Sequence, residues 1–175
     1  VLSVTLSEGT RDIMLITRAG MSIRFKEQEV NAMGRVSAGV KGIQLAEGDE
    51  IIAALWVEED EGEVLVLTES GYGKRTLLLD YPTQGRGGKG ITTFEFKEGK
   101  RVRSNGTRIV AAFYCREAVQ LFAITAEGQT MSFLSEKAPL TDRKDTGKLL
   151  APVEKKDEIV NVLLRSEPQV SQSIE

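Results

Sequence analysis

The stretch Met14-Leu-Ile-Thr17-Arg-Ala-Gly20 returns as Leu65-Val-Leu-Thr68-Glu-Ser-Gly71 and again as Phe122-Ala-Ile-Thr125-Ala-Glu-Gly128. Each copy is a short apolar run closed by Thr-x-x-Gly, the pattern of a strand entering a tight turn. A second strand-like run follows each glycine, at residues 22–26, 74–79 and 130–134. A polar loop comes next and ends in a glycine-containing element: Gly39-Val-Lys41-Gly42, Gly87-Gly-Lys89-Gly90 and Gly147-Lys148-Leu-Leu150. Gly20 and Gly128, Gly39 and Gly147, and Asp49 and Asp157 each stand 108 residues apart, so the first and third copies share one register. Self-similarity at a period of about 50 to 57 residues points to a repeat or propeller architecture.

A further strand-like run precedes each hairpin and occurs four times, at residues 1–6, 51–57, 109–114 and 159–164. The expected organisation is all-β: three four-stranded units at approximately 1–50, 51–107 and 108–165, plus one extra strand. Helical periodicity is confined to residues 26–33, where one turn fits inside a loop. Residues 166–175 are polar and contain one proline, which predicts a flexible tail.

Composition narrows the chemistry. The 175 residues are enough for a real core, and no apolar run of membrane-spanning length or signal-peptide pattern is present, so a soluble, cytoplasmic protein without membrane contact is expected. A single cysteine, Cys115, excludes an internal disulfide and any CxxC site. The absence of histidine removes Ser-His-Asp and Cys-His catalysis and the commonest zinc ligand. No cofactor or metal is expected. The net charge of −3 is unevenly spread. Residues 46–70 hold nine acidic side chains and no basic one, whereas residues 71–103 hold eight basic against three acidic. A mildly acidic chain can therefore present a basic surface, and local potential is what a nucleic-acid backbone senses.

Within the basic segment lies Tyr81-Pro-Thr-Gln84-Gly85-Arg86-Gly87-Gly88-Lys89-Gly90-Ile91, two cations among glycines between strand-like runs. Glycines admit positive φ and bring backbone amides close to a partner, so Arg86 and Lys89 with Gly87, Gly88 and Gly90 form a candidate phosphate cradle. A surface turn with purely geometric glycines is the competing reading. Arg24 and Lys26 are two apart on a strand and share a face, and with Arg35 and Lys41 they extend a basic track. Lys74 and Arg75 are adjacent and face opposite ways, yet both are candidate rim residues. In the third unit Lys148 is a candidate, with Arg143 and Lys144 interleaved with Asp142 and Asp145.

The aligned repeats resemble the C-terminal DNA-wrapping domain of the DNA gyrase A protein, and less closely the equivalent domain of topoisomerase IV. The anchors are Ile23-Arg-Phe-Lys26, Ala32-Met-Gly34, Gly39-Val-Lys-Gly42-Ile43, Gly71-Tyr-Gly-Lys-Arg-Thr76 and Tyr81-Pro82, in order along nearly the whole chain. The resemblance implies a β-pinwheel, a propeller-like ring of four-stranded blades whose basic rim bends duplex DNA without catalysing a reaction. It also implies partners: duplex DNA, the remainder of a type IIA topoisomerase A protein, and its ATPase partner. The gyrase signature Gln-Arg-Arg-Gly-Gly-Lys-Gly is met by Gln84 to Gly90 at six of seven positions, departing at Gly85. This loop falls in a repeat that resembles a later blade, whereas the signature belongs to the first. A complete domain of the family has about six blades, and three are counted here.

Two other readings compete. A nucleotide P-loop requires Gly-x4-Gly-Lys-[Ser/Thr] before a helix, but Thr83 occupies the first position, Gly90 follows Lys89, and a strand is expected next. A protein-binding propeller would use the acidic segment 58–63 as its interface; otherwise that segment reads as a solvated hairpin loop. Trp56 and Phe113 are expected in the core, and Tyr72, Tyr81, Tyr114 and Cys115 are read as structural.

Overall fold

The computed structural model describes residues 1–58, 60–97 and 103–165. The tail expected at 166–175, and Lys100 and Arg101 of the basic segment, lie outside the described residues. Among the described residues eleven strands form three antiparallel sheets. β1 (Asp12–Thr17) and β2 (Met21–Lys26) make the first hairpin, β4 (Glu63–Thr68) and β5 (Tyr72–Leu77) the second, and β8 (Gln120–Thr125) and β9 (Thr130–Leu134) the third. β3 (Ile51–Val57), β7 (Ile109–Cys115) and β11 (Ile159–Arg165) pair with β1, β4 and β8 respectively, each across a register shift near the turn.

The repeated Thr-x-x-Gly has one physical explanation. In all three hairpins the glycine N–H donates to the threonine carbonyl at 3.0 Å, and the glycine sits at φ of 80 to 83°. That left-handed conformation suits glycine. The buried threonine Oγ1 then accepts the N–H of the residue after the glycine, at 3.2 Å from Met21, 3.2 Å from Tyr72 and 3.1 Å from Gln129.

Each hairpin is finished by the segment that follows it. β6 (Ile91–Thr92) leaves the glycine-rich loop of the second repeat and pairs with β2 of the first, and β10 (Lys148–Leu149) does the same for β5. The sheet orders are β3-β1-β2-β6, β10-β5-β4-β7 and β11-β8-β9. Two sheets therefore have the expected four strands and the third has three. The strand expected at residues 1–6 is not formed; Val1, Leu2, Val4 and Leu6 are exposed. Its counterparts β3, β7 and β11 all add to a hairpin earlier in the chain.

The sheets stack face to face, which explains the unbroken apolar runs. On β4, Leu65 and Leu67 enter the core shared with the third sheet, among Leu121, Ala123 and Phe133. Val64 and Val66 enter the core shared with the first sheet, among Met14, Ile16 and Val57. A strand buried on both faces needs apolar residues at every position. Trp56 and Phe113, expected in the core, are half-buried, and Phe113 packs against the core shared by the second and third sheets. Residues 26–33 contain a 3-10 turn, Glu27–Glu29, with counterparts at Leu78–Asp80 and Ser135–Lys137.

Because β9 lacks the fourth strand that covers β2 and β5, its outward amides have no ladder partner among the described residues. Native-state hydrogen exchange should be faster in Thr130–Leu134 than in Met21–Lys26 or Tyr72–Leu77; equal protection of the three strands would show that β9 is covered.

Candidate nucleic-acid interface

Of the expected rim cations, Arg24 and Lys74 are buried and Arg75 is half-buried. Arg24 and Lys26 do share a face, because both reach Asp12: Arg24 Nε lies 2.8 Å from Oδ2 and Lys26 Nζ 2.9 Å from Oδ1. Lys26 is exposed, but Arg24 is only 4% exposed. Its NH1 pairs with Asp60 at 2.9 Å and donates to Tyr81 O at 3.2 Å. Arg75 stands at the same place in the second hairpin, four residues after the turn glycine. Its NH1 pairs with Glu63 at 2.7 Å and its Nε donates to Ala138 O at 3.0 Å. Each arginine thus ties the first residue of its own hairpin to the carbonyl that follows the next 3-10 turn. The backbone continues the join: Gln84 N donates to Arg24 O at 2.7 Å, and Thr141 N to Arg75 O at 2.9 Å. These arginines are inter-repeat latches. The acids that hold them, Asp12 and Glu63, escape a reading of the sequence for cations, although each lies eight residues before its turn glycine.

Lys74 is fully buried. Its ammonium donates to Thr76 Oγ1 at 3.1 Å, to Arg143 O at 2.8 Å and to Asp142 O. Burial pushes its pKa down to about 8 against the opposing pull of Asp145 and Asp142. Cys115 is buried and its thiol is pushed up to about 11, so it is inert at neutral pH. Tyr81 is buried with its hydroxyl 2.5 Å from Thr93 Oγ1, and burial raises its pKa.

The glycine-rich loop lies along the preceding connection, residues 27–50. Gly87 N donates to Gly42 O at 2.7 Å and Gln44 N to Gly88 O at 2.8 Å. Gly87 and Gly90 have φ of 83 and 75°, and a side chain on Gly90 would collide with Ser22 O. Gly147 makes the matching approach to Gly73 O, with an added Cβ only 2.9 Å away. Gly147 is therefore the counterpart of Gly90, and Lys148 belongs to the donated strand β10. The 108-residue spacing that pairs Gly147 with Gly39 misplaces it within the loop. Gln84 is half-buried and its Oε1 faces inward. Arg86 is half-buried against Glu29 and Lys41. Arg35, Lys41, Gly88, Lys89 and Lys148 are exposed, as is Lys144.

The acidic hairpin is not simply solvated. Glu58 pairs with Arg11 and Arg116, each at 3.1 Å, and Glu61 with Arg116 at 2.9 Å. Asp60 and Glu63 hold the two latch arginines. These carboxylates are largely matched within the molecule, so the exposed lysines of the long connections face less opposing charge than the net value implies. Lys89 leads into a strand and not a helix, which leaves the P-loop reading without its framework. Among the described residues no acidic or cysteine cluster could hold a metal ion, and no helix is long and apolar enough to cross a membrane.

The family described as DNA gyrase C-terminal domain, beta-propeller, matches residues 11–55, 62–104 and 120–165, one match on each hairpin. The chain belongs to this family. The DNA gyrase A protein of Salmonella typhimurium is 33% identical over 168 residues, covering 96% of this chain and 18% of that protein. Its Escherichia coli K12 equivalent is 32% identical over the same length. That of Staphylococcus epidermidis is 46% identical over 99 residues, covering 56% of this chain and 11% of that protein. The fold matches a solved C-terminal domain of DNA topoisomerase IV with a TM-score of 0.83 at 24% identity, covering 93% of this chain and 49% of that one. It also matches a DNA gyrase A C-terminal domain with a TM-score of 0.75 at 23% identity, covering 87% and 50%. This gyrase-family chain therefore spans about a fifth of the curated relatives' length and about half of the solved domains.

The buried cations make stability testable at two points. Arg24→Ala strands Asp12 in the interior with only Lys26 opposite, and should cost about 3 kcal/mol in urea unfolding, the low end for breaking a buried pair. A loss below about 1 kcal/mol would show that the latch is dispensable. For Lys74 the folded pKa lies below the unfolded value, so above about pH 8 the folded chain releases a proton that the unfolded chain keeps. Its contribution to stability therefore rises from about pH 8 to about pH 10. Cys115, raised in the fold, acts in the opposite sense above about pH 9. Between about pH 8 and pH 9 the wild-type stability profile should climb, and Lys74→Met should flatten it.

Proposed function

We propose that this chain is a non-catalytic DNA-binding β-pinwheel segment that bends duplex DNA along its rim on behalf of a type IIA topoisomerase, DNA gyrase being the parent favoured by the curated relatives. The observation that carries this reading is the ridge made by two adjoining connections, where exposed Lys41 and Lys89 sit among glycines whose backbones are hydrogen-bonded to each other. Lys26, Arg35 and Lys148 add exposed positive charge on the corresponding connections and strands. Lysines there act as point charges for phosphate and carry no base code, so binding is largely independent of sequence.

Bending a duplex by about 40–90° over roughly 20–30 base pairs costs about 1–6 kcal/mol, which phosphate contacts spread along a rigid curved edge can offset. Rigidity comes from the latches, since a rim of loops on separately moving sheets would follow the DNA instead of bending it. Cleavage, strand passage and ATP hydrolysis belong, in this reading, to the rest of the parent topoisomerase and to its ATPase partner in the bacterial cytoplasm. Family membership and the basic ridge both support DNA as the ligand in preference to a protein.

Titration of a fluorescent duplex across a salt series tests this. If the exposed Lys26, Arg35, Lys41, Lys89 and Lys148 all contact phosphate, log K should fall against log salt with a slope of about −4.5, with similar values for unrelated sequences. Energy transfer between dyes at the duplex ends should increase on binding. A slope near zero, or no binding at low salt, would sink the proposal.

A further inference from the structure

The connection 27–50 contains no strand, and residues 31–41 are exposed throughout, the nearest core anchor being Ile43, buried with Leu15, Ile23 and Phe25. The Lys41 carbonyl itself is held by Arg86. The guanidinium donates through Nε to Glu29 O at 3.1 Å and through NH1 to Lys41 O at 2.6 Å. The Arg86 backbone N–H donates to Glu29 Oε2 at 2.8 Å. With the Gly87–Gly42 and Gln44–Gly88 bonds, five hydrogen bonds join the two connections, three of them made by this one residue. Gly87 takes a φ of 83°, a left-handed conformation that suits glycine.

We propose that Arg86 is a positioning residue that sets Lys41 and Lys89 side by side as the phosphate-contacting pair of the ridge, and that its own guanidinium is not a phosphate ligand. The inference rests on the DNA-binding reading above. A planar fork held by two carbonyls on different parts of one loop is a cross-link, and a lysine ammonium cannot reproduce its geometry. Ordering Lys41 before DNA arrives removes part of the entropy that a loose loop loses on binding. The third repeat supports this independently. Arg143, at the place of Arg86 three residues after the residue that bridges to the latch arginine, donates through NH1 to Thr92 O at 2.9 Å, joining its loop to β6.

The test uses the full chain with the variants Arg86→Lys, Arg86→Ala, Lys41→Ala and Lys89→Ala, read by duplex titration across salt and by amide exchange at Gly87 and Gln44. Lys41→Ala and Lys89→Ala should each reduce the salt slope by about 0.9, one phosphate contact apiece. Arg86→Lys, although it keeps the charge, should weaken binding several-fold, much as Arg86→Ala does, with the slope unchanged and with faster exchange at Gly87 and Gln44. Wild-type affinity in Arg86→Lys together with a slope reduced by about 0.9 in Arg86→Ala would make the guanidinium a phosphate ligand and overturn the proposal. Unchanged exchange in both Arg86 variants would overturn it as well. If the wild-type chain showed no salt-dependent duplex binding, the phosphate assignment would fall with the reading it rests on, and the exchange measurement alone would decide whether Arg86 is a clamp.

Discussion

No sheet in this molecule is completed by its own repeat. A two-stranded hairpin with one apolar face is marginal in water. Here each receives an outer strand from the start of the next repeat and, in two cases, an inner one from that repeat's loop. The donated inner strands are only two residues long, so their value lies less in hydrogen bonds than in where they bring the chain. Each carries a glycine-led loop from one sheet across to the edge of its predecessor. The stacked cores, the latches and the basic ridge all depend on that crossing.

The buried cations make the crossing specific. Desolvating a guanidinium is costly, and an ion pair in the interior is often no more stabilising than a well-packed apolar group. What Arg24 and Arg75 supply is direction. Each has donors in a fixed fork, one prong on an acid of its own hairpin and another on a carbonyl of the next repeat. An apolar residue could fill the same space but could not dictate which carbonyl lies opposite. Lys74 does the same for the loop 138–147 through the carbonyls of Asp142 and Arg143.

Much of this is legible in the residues. Thr17, Thr68 and Thr125 with their glycines announce three identical turns because one local hydrogen-bond pattern demands both residue types. The unbroken run Val64-Leu65-Val66-Leu67 announces a strand covered on both faces. Burial of charge is not legible in the same way. Alternation places Arg24 and Lys26 on one face, but which of the two lies under the next repeat depends on Tyr81, far along the chain. Residues 1–6 resemble β3 in composition and still form no strand, whereas β3, β7 and β11 each pair with a hairpin earlier in the chain. The misplacement of Gly147 has a similar origin: regular spacing along the chain does not register loops of unequal length, whereas the close approaches of Gly90 to Ser22 and Gly147 to Gly73 do. Arg86 is legible as a cation near Lys89 but not as a clamp, since Glu29 and Lys41 are far from it in sequence.

The handover of strands from one repeat to the next also bears on how such a chain can lengthen or shorten. The first two hairpins are completed by the same pieces, a 3-10 turn, a loop and a two-residue strand beside a latch arginine, so their acceptor edges are alike. Duplicating or deleting a whole repeat would leave each surviving hairpin still finished by whatever follows it. A change of half a repeat would instead leave one hairpin with no donor and one donor with nothing to complete. The architecture thus counts in whole units, and the curvature of its rim can be altered only in steps.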